Sequence, residues 1–305
     1  MDGRTVVTIG TFDGVHVGHQ RILDRVNREA RERGGARVAY VFARPPRMTL
    51  KPDALSDLLL PVERRERLLR AFVDRVVFAE FSDVRQLSPQ AFAQEVIVES
   101  LKARAVVVGE GFRFGRDRSG DLTALRSLGE ALGFAVQSVP ALRMDGEPVS
   151  STRIRGFLRE GRVRDAAHLL GRPPLLVGDV VHGEQIGRTL GYPTANLHLD
   201  SRILLPGDGI YYSHVHINES SAHGLLYVGS RPTAQGTERR CEVHLLSPPE
   251  EDLYGLSVEV HILERLRGDR AFPSLDALRE EIECDVKAAR ALVARHPLPT
   301  DRIRG

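Results

Sequence analysis

The chain has 305 residues, 42% of them hydrophobic and 28% charged, a length and balance that suit two globular domains. Its 43 Lys and Arg against 41 Asp and Glu leave a net charge of +2, too even to argue for a nucleic-acid partner. No apolar run reaches the roughly 18 residues of a membrane helix, so no membrane partner is expected; two cysteines in so long a chain make no disulfide framework, and a reducing cytoplasm fits best.

Thr5–Ile9 is a β-branched run that reads as a buried strand. His19 to Val26 reads as an amphipathic helix, with Ile22, Leu23, Val26 and Ala30 inward. Between them lies T-I-G-T-F-D-G-V-H-V-G-H, from Thr8 to His19, with glycines at 10, 14 and 18 and histidines at 16 and 19. Glycine lets backbone approach a ligand closely. The helix N-terminus beyond favours anions, and imidazole can donate to phosphate oxygens. The pattern is not G-x-G-x-x-G, so the dinucleotide fingerprint does not apply.

Gly34-Gly35 stops the helix, and Ala36 to Phe42 follows as a second strand broken by Ala43-Arg44-Pro45-Pro46. Leu60 to Phe72 reads as a helix whose Arg64, Arg65, Arg67 and Arg70 form a solvated face. Arg75 to Phe81 is a third strand, and Ser88-Pro89 opens a helix running to about Lys102. Ala105 to Gly109 is an apolar strand, central and parallel, and Phe134 to Val139 another. Strands alternating with helices give a doubly wound α/β sheet. Its ligands sit beyond the carboxyl ends of the strands, where Thr11–His19 and Gly109–Gly115 fall. Arg153 and Arg155, in the first turn of a helix opened by Ser150, Ser151 and Thr152, oppose the helix dipole unless an anion binds there.

These segments resemble the HxGH nucleotidylyltransferase superfamily, and within it the FMN adenylyltransferase module of bacterial bifunctional riboflavin kinase/FAD synthetases. The resemblance assigns nucleotide contacts to Gly10, Thr11, Phe12, Asp13 and Gly18, and flavin contacts to Gly109, Phe112 and Phe114. It gives Ser151, Thr152 and Arg153 to phosphate, and His16, His19 and Arg155 to catalysis. Two places depart from the family pattern. Gly111 stands where Asn or Asp is common, and Ala43-Arg44-Pro45-Pro46 where the family often has D-P-H-P after the Phe.

A helical connection from Gly156 to Leu170 ends at Gly171-Arg172-Pro173-Pro174, the expected boundary between domains 1–172 and 173–305. Short strands follow at Leu175–Val181, Ile210–Ile217, Gly224–Gly229, Cys241–Leu246 and Leu256–Leu263, a spacing that suggests an antiparallel barrel. Ser274 caps a last helix, read as a packing element, with Leu275, Leu278, Ile282, Val286 and Ala289 on one face. The segment from Val181 to Asn196 reads as a loop with glycines at 183, 187 and 191. Thr194 and Asn196, two apart, share a face in extended chain and offer hard oxygens suited to Mg²⁺.

Gly187-Arg188-Thr189-Leu190-Gly191-Tyr192-Pro193-Thr194-Ala195-Asn196 resembles the flavokinase motif. That likeness places nucleotide contacts at Gly183, Gly187, Arg188, Thr194 and Arg231, Mg²⁺ on Thr194 and Asn196, and the base on Glu242. Val228 to Thr233 is similar to a family loop, with Tyr227 where Asn is common, and Asp252-Leu253-Tyr254-Gly255 also matches. The resemblance implies an HxGH nucleotidylyltransferase domain, then a small β-barrel flavokinase domain with a C-terminal helix. It implies ATP-dependent conversion of riboflavin to FMN and of FMN to FAD. The rival readings are a kinase alone, with the α/β half weakened or using another nucleotide; a flavin- or nucleotide-binding regulator without turnover; and a cytidylyltransferase of the same HxGH superfamily. Self-association is left open.

Overall fold

The computed structural model describes residues 5–44, 57–183, 186–233, 236–247 and 252–298, with the side chains at 186, 188, 231–233 and 236–238 outside that description. Its contacts divide the chain into two compact units. The first takes Met1–Leu55 and Val62–Ser151, the second Ser56–Pro61 and Thr152–Arg304.

The first unit is a five-stranded parallel sheet in the order β3-β2-β1-β4-β5. Its strands are β1 (Thr5–Gly10), β2 (Ala36–Phe42), β3 (Arg75–Ala79), β4 (Ala103–Gly109) and β5 (Ala135–Val139), followed by a short antiparallel ribbon of β6 (Arg143–Met144) and β7 (Glu147–Pro148). β1 is central because Thr5 to Ile9 are all buried, as a strand covered on both faces must be. Helix α1 (Val17–Arg33) packs Leu23 and Val26 inward and ends at Gly34, whose φ of 67° breaks the helical path. The strand order reverses between β1 and β4, so their carboxyl ends frame the crevice of a doubly wound sheet.

Two expectations change here. The helix after Ser88 begins as expected, with Ser88 Oγ accepting from Ala91 N and Pro89 in the first turn, but continues as a π-helix over Phe92–Ser100. The helix Val62–Arg70 does not present four arginines to water. Arg67 and Arg70 are exposed, whereas Arg65 is fully buried, among the largest buried side chains of the described residues.

The second unit is a closed barrel in the order β10-β11-β12-β9-β8-β13, every pair antiparallel. Its strands are β8 (Leu175–Val181), β9 (Ala195–Leu199), β10 (Gly209–Ile217), β11 (Ser220–Thr233), β12 (Gly236–Leu245) and β13 (Ser257–Gly268). Three differ from expectation. β9 emerges from what read as loop. β11 and β12 form a long hairpin that carries Val228 to Thr233 as strand. Leu58 adds a parallel bridge to Ile203.

The helices Ser151–Arg159 and Val163–Leu170 precede the barrel. The last helix, Leu275–Leu292, is capped by Ser274 Oγ and rests Val286, Ala289 and Leu292 against Tyr212 and Leu225. Leu275 is 61% exposed and takes no part in that face, while Asp285 is buried within it.

Candidate functional sites in the two units

In the first unit the loop after β1 is held in a form few side chains accept. Phe12 and Val15 have φ of 51° and 40°, and Gly14 82°. Such angles persist in non-glycine residues only where surroundings over-determine them. His16 caps α1: His19 N donates to His16 Nδ1 at 3.2 Å. That bond leaves the His16 proton on Nε2. The two imidazoles stack at 3.5 Å between centroids, and Phe12 meets His19 edge-on at 5.1 Å. A Cβ at Gly18 would come within 3.2 Å of the His16 ring, so glycine there permits the stack. His16 and Asp13 are buried.

Beside this loop lies a cavity of about 480 Å³, lined by Ile9, Phe42, Phe81, Phe92, Phe112 and Phe114, with Arg113, Arg116 and Arg118 around it. Phe112 and Phe114 stack at 5.6 Å, and Phe42 meets Phe81 edge-on at 5.7 Å. Phe42, Phe81 and Phe92 were missed from sequence. Phe42 had a legible signal, an aromatic at the carboxyl end of an interior strand. Around Gly111 the space is open for 4 Å.

Ser151 is brought to the loop: its Oγ donates to Asp13 O at 2.9 Å. Within the second unit, Arg155 is buried and donates through Nε to Asp57 O at 2.6 Å. The Arg153 guanidinium stands 5.4 Å from the Phe157 ring centroid. Thr152 is exposed.

The barrel unit brings together Thr194, Asn196 and Glu242. Glu242 pairs in register with Asn196 across β12 and β9, and with Tyr227 across β12 and β11. Thr194 Oγ1 donates to Glu242 Oε2 at 3.0 Å. Strand alternation buries Cys241 and Val243 in the barrel and turns Glu242 to the other face. Burial pushes the Cys241 thiol up to about 12, so it is not a nucleophile. Gly187 is required by contact: a Cβ there would stand 2.4 Å from Tyr192 O. At Gly183 it would meet the Asn196 amide at 2.0 Å. His182 and Tyr254 stack at 3.7 Å, which joins the Asp252–Gly255 turn to the start of the glycine-rich segment. The side chains of Arg188 and Arg231 lie outside the described residues.

Glu242 and Thr194 line a mostly apolar cavity of about 350 Å³ with Leu190, Tyr192, Leu225 and Tyr227. Leu278 and Ile282 close it from the last helix, so that helix walls a site as well as packing. Arg267 holds the buried Asp285 through Nε at 2.9 Å and Nη2 at 2.8 Å, and its Nε also meets Glu281 at 3.1 Å. Burial, with Asp269 next, pushes the Tyr227 hydroxyl up to about 12, and this hydroxyl donates to Asp269 Oδ2 at 3.3 Å. The Asp285–Arg267 pair was not anticipated. Among the described residues no group of three His, Cys, Asp or Glu is placed to hold a metal; the oxygens of Thr194, Asn196 and Glu242 are a hard donor set that suits Mg²⁺ beside phosphates.

Residues 1–153 match the FAD synthetase family and residues 170–293 the riboflavin kinase family. The chain is 38% identical over 291 residues to a bifunctional riboflavin kinase/FMN adenylyltransferase of Pseudomonas fluorescens, covering 95% of this chain and 93% of that one. It is 35% identical to the corresponding protein of Escherichia coli K12, covering 93% and 91%. A crystal structure described as a macrolide-efflux protein from Streptococcus pneumoniae superposes with a TM-score of 0.87 at 33% identity, covering 95% of both chains. Among the described residues no helix is long and apolar enough to cross a membrane. Sharing both matched modules with these relatives in one order, the chain belongs to the bifunctional riboflavin kinase/FMN adenylyltransferase family.

Proposed function

We propose that the barrel phosphorylates riboflavin to FMN with ATP, and that the parallel-sheet unit adenylylates FMN to FAD. The observation that carries the reading is the Thr194–Glu242 pair on the wall of an apolar cavity large enough for a ring system. In the kinase step Glu242 takes the proton from a riboflavin hydroxyl. That oxygen bonds the γ-phosphorus of ATP, the bond to the β-phosphate oxygen breaks, and ADP leaves. Thr194 orients the carboxylate, and Gly183 and Gly187, with Arg188 and Arg231, form the nucleotide side. Thr194 and Asn196 would hold Mg²⁺, which supplies charge neutralisation on the phosphates.

In the second step an FMN phosphate oxygen attacks the α-phosphorus of ATP, and pyrophosphate leaves. Such transfers need positioning and charge stabilisation more than covalent chemistry. His16 and His19 meet the triphosphate, with Gly10, Thr11, Phe12, Asp13 and Gly18 shaping the loop. Thr152, Arg153 and Arg155 are assigned to phosphate, and Phe112, Phe114 and Gly109 to the flavin. We place the first activity in residues 173–305, the second in 1–172, and both in the cytoplasm, where the free Cys241 and Cys284 stay reduced.

The test is chromatography of the flavins after incubation with riboflavin, ATP and Mg²⁺. FMN followed by FAD is expected. FMN alone removes the adenylylation half; no conversion removes the kinase half, and a second incubation with FMN, ATP and Mg²⁺ then decides the adenylylation half, which absence of FAD there removes.

A further inference from the structure

The loop from Thr11 to His16 owes its shape to three side chains from three different places in the first unit. Arg65 Nη1 donates to Thr11 O at 2.9 Å. Ser151 Oγ donates to Asp13 O at 2.9 Å. Gln20 Nε2 donates to Val15 O at 3.0 Å. Alternate carbonyls of the loop are thus each drawn toward a side chain. In a planar trans peptide the N–H points opposite to the C=O, so these three bonds also set the direction of the amides of Phe12, Gly14 and His16. The loop so fixed leads directly into the N-terminus of α1, capped by His16, where backbone N–H groups and the helix dipole favour anions.

Arg65 is the least expected of the three. Its second amino group, Nη2, donates to Ala43 O at the exit of β2. One guanidinium therefore ties together the carboxyl ends of two adjacent strands, β1 and β2. It is fully buried, and its Nε has no hydrogen-bond partner among the described residues. Burial lowers its pKa, opposed by the charges of Asp13 and then Glu63. A buried guanidinium costs free energy to place, and here its donors go to two loop carbonyls rather than to a carboxylate. Arginine alone presents a planar fork that spans two such acceptors.

We propose that Arg65 and Gln20 are positioning residues for adenylyl transfer: they hold the carbonyls of Thr11, Ala43 and Val15 so that the loop amides and the His16–His19 pair face the triphosphate. The proposal rests on the adenylylation reading above. That reading is tested first on the unsubstituted chain, where absence of FAD formation defeats it independently of any variant.

The test compares Arg65→Met, Arg65→Lys and Gln20→Ala in the full chain. Each is assayed for FAD formation over a range of ATP, for riboflavin phosphorylation, and for amide hydrogen exchange in a peptide covering residues 10–20. The barrel is an internal control for folding. In Arg65→Met and Gln20→Ala the KM for ATP in FAD formation is expected to rise at least about tenfold, since small misplacements of a positioned site cost up to ~10²-fold. The loop peptide should exchange faster, and riboflavin phosphorylation should stay within twofold. Arg65→Lys, which reaches one carbonyl, should fall between. An unchanged KM for ATP, or a fall in kcat alone that tracks lost kinase activity, overturns the proposal. If Arg65→Met does not fold, Gln20→Ala, at a half-buried position, decides by the same readouts.

Discussion

The Thr194 hydroxyl donates to the Glu242 carboxylate at 3.0 Å, the residue one place before β9 meeting the residue in β12 that pairs with Asn196. On the proposed mechanism, this contact sets where Glu242 takes a proton from a substrate in the barrel cavity. A positioned general base is worth about 10²–10⁴-fold. Glu242→Gln keeps the shape and the acceptor for Thr194 but removes the proposed base, so riboflavin phosphorylation should fall at least ~10²-fold while a supplied FMN is still adenylylated. Steady-state rates with riboflavin and with FMN check both parts.

The role proposed for the His16–His19 stack makes the opposite division. Removing one donor to a developing phosphate charge costs about 10²–10³-fold. His19→Ala should lower FAD formation by that amount and leave FMN formation unchanged. Near-normal FAD formation would take His19 out of the mechanism.

Gly111 is not demanded by the backbone: its φ is not positive, and a Cβ there meets nothing within 4 Å. Gly111→Asn should therefore fold normally. If the flavin lies beside this loop, the new amide adds a hydrogen bond worth about 1 kcal/mol, and the KM for FMN should fall about fivefold. A raised KM would mean the position is crowded once substrate is bound.

The chain showed most of its architecture in advance, for physical reasons that also mark what was hidden. The β-branched run Thr5–Ile9 and the apolar Ala105–Gly109 read as interior strands because both faces are covered. β9 was hidden because Pro193 and Asn196 look like loop residues, and its pairing with β8 and β12 is non-local. Arg65 was misread because charge outweighed position. It stands three and four residues before the buried Leu68 and Leu69, so helical periodicity alone puts it on the inner face. Asp285 carries the same signal, lying between Ile282 and Ala289 on the apolar stripe. The HxGH and glycine-rich motifs were legible because close backbone approach admits few residue types, as Gly18 and Gly187 show.

The Arg267–Asp285 pair gives a stability prediction. Asp285 has 8% of its side chain exposed and Arg267 19%. Removing Arg267 leaves a buried carboxylate without its bidentate partner, a loss of about 3–5 kcal/mol. Arg267→Ala should lower the barrel's melting transition markedly and leave that of the first unit in place, as two-transition calorimetry would show. Equal shifts in both would mean the units unfold together.

The outer face of the barrel sets a pH dependence. Tyr212 OH lies 2.7 Å from His223 Nδ1, His214 Nε2 lies 3.0 Å from His296 O, and Ser221 Oγ lies 2.7 Å from His216 Nδ1. Burial is the largest cause lowering the pKa of His214, His216 and His223 below 6.5; the bond to His296 O opposes it at His214 and Glu259 opposes it at His216, while nearby histidines add to it at His214 and His223. Each ring is therefore neutral in the fold at a pH where the unfolded chain already binds a proton. Where the unfolded state binds more protons, stability rises with pH. The contribution of these histidines is fully present above 6.5 and is lost as pH falls through 6.5 toward their lower folded values. The barrel transition should thus drop by several degrees between pH 7.5 and 5.5. His214→Asn and His223→Phe together should flatten that slope. A slope unchanged in the double variant would assign the acid sensitivity to other groups.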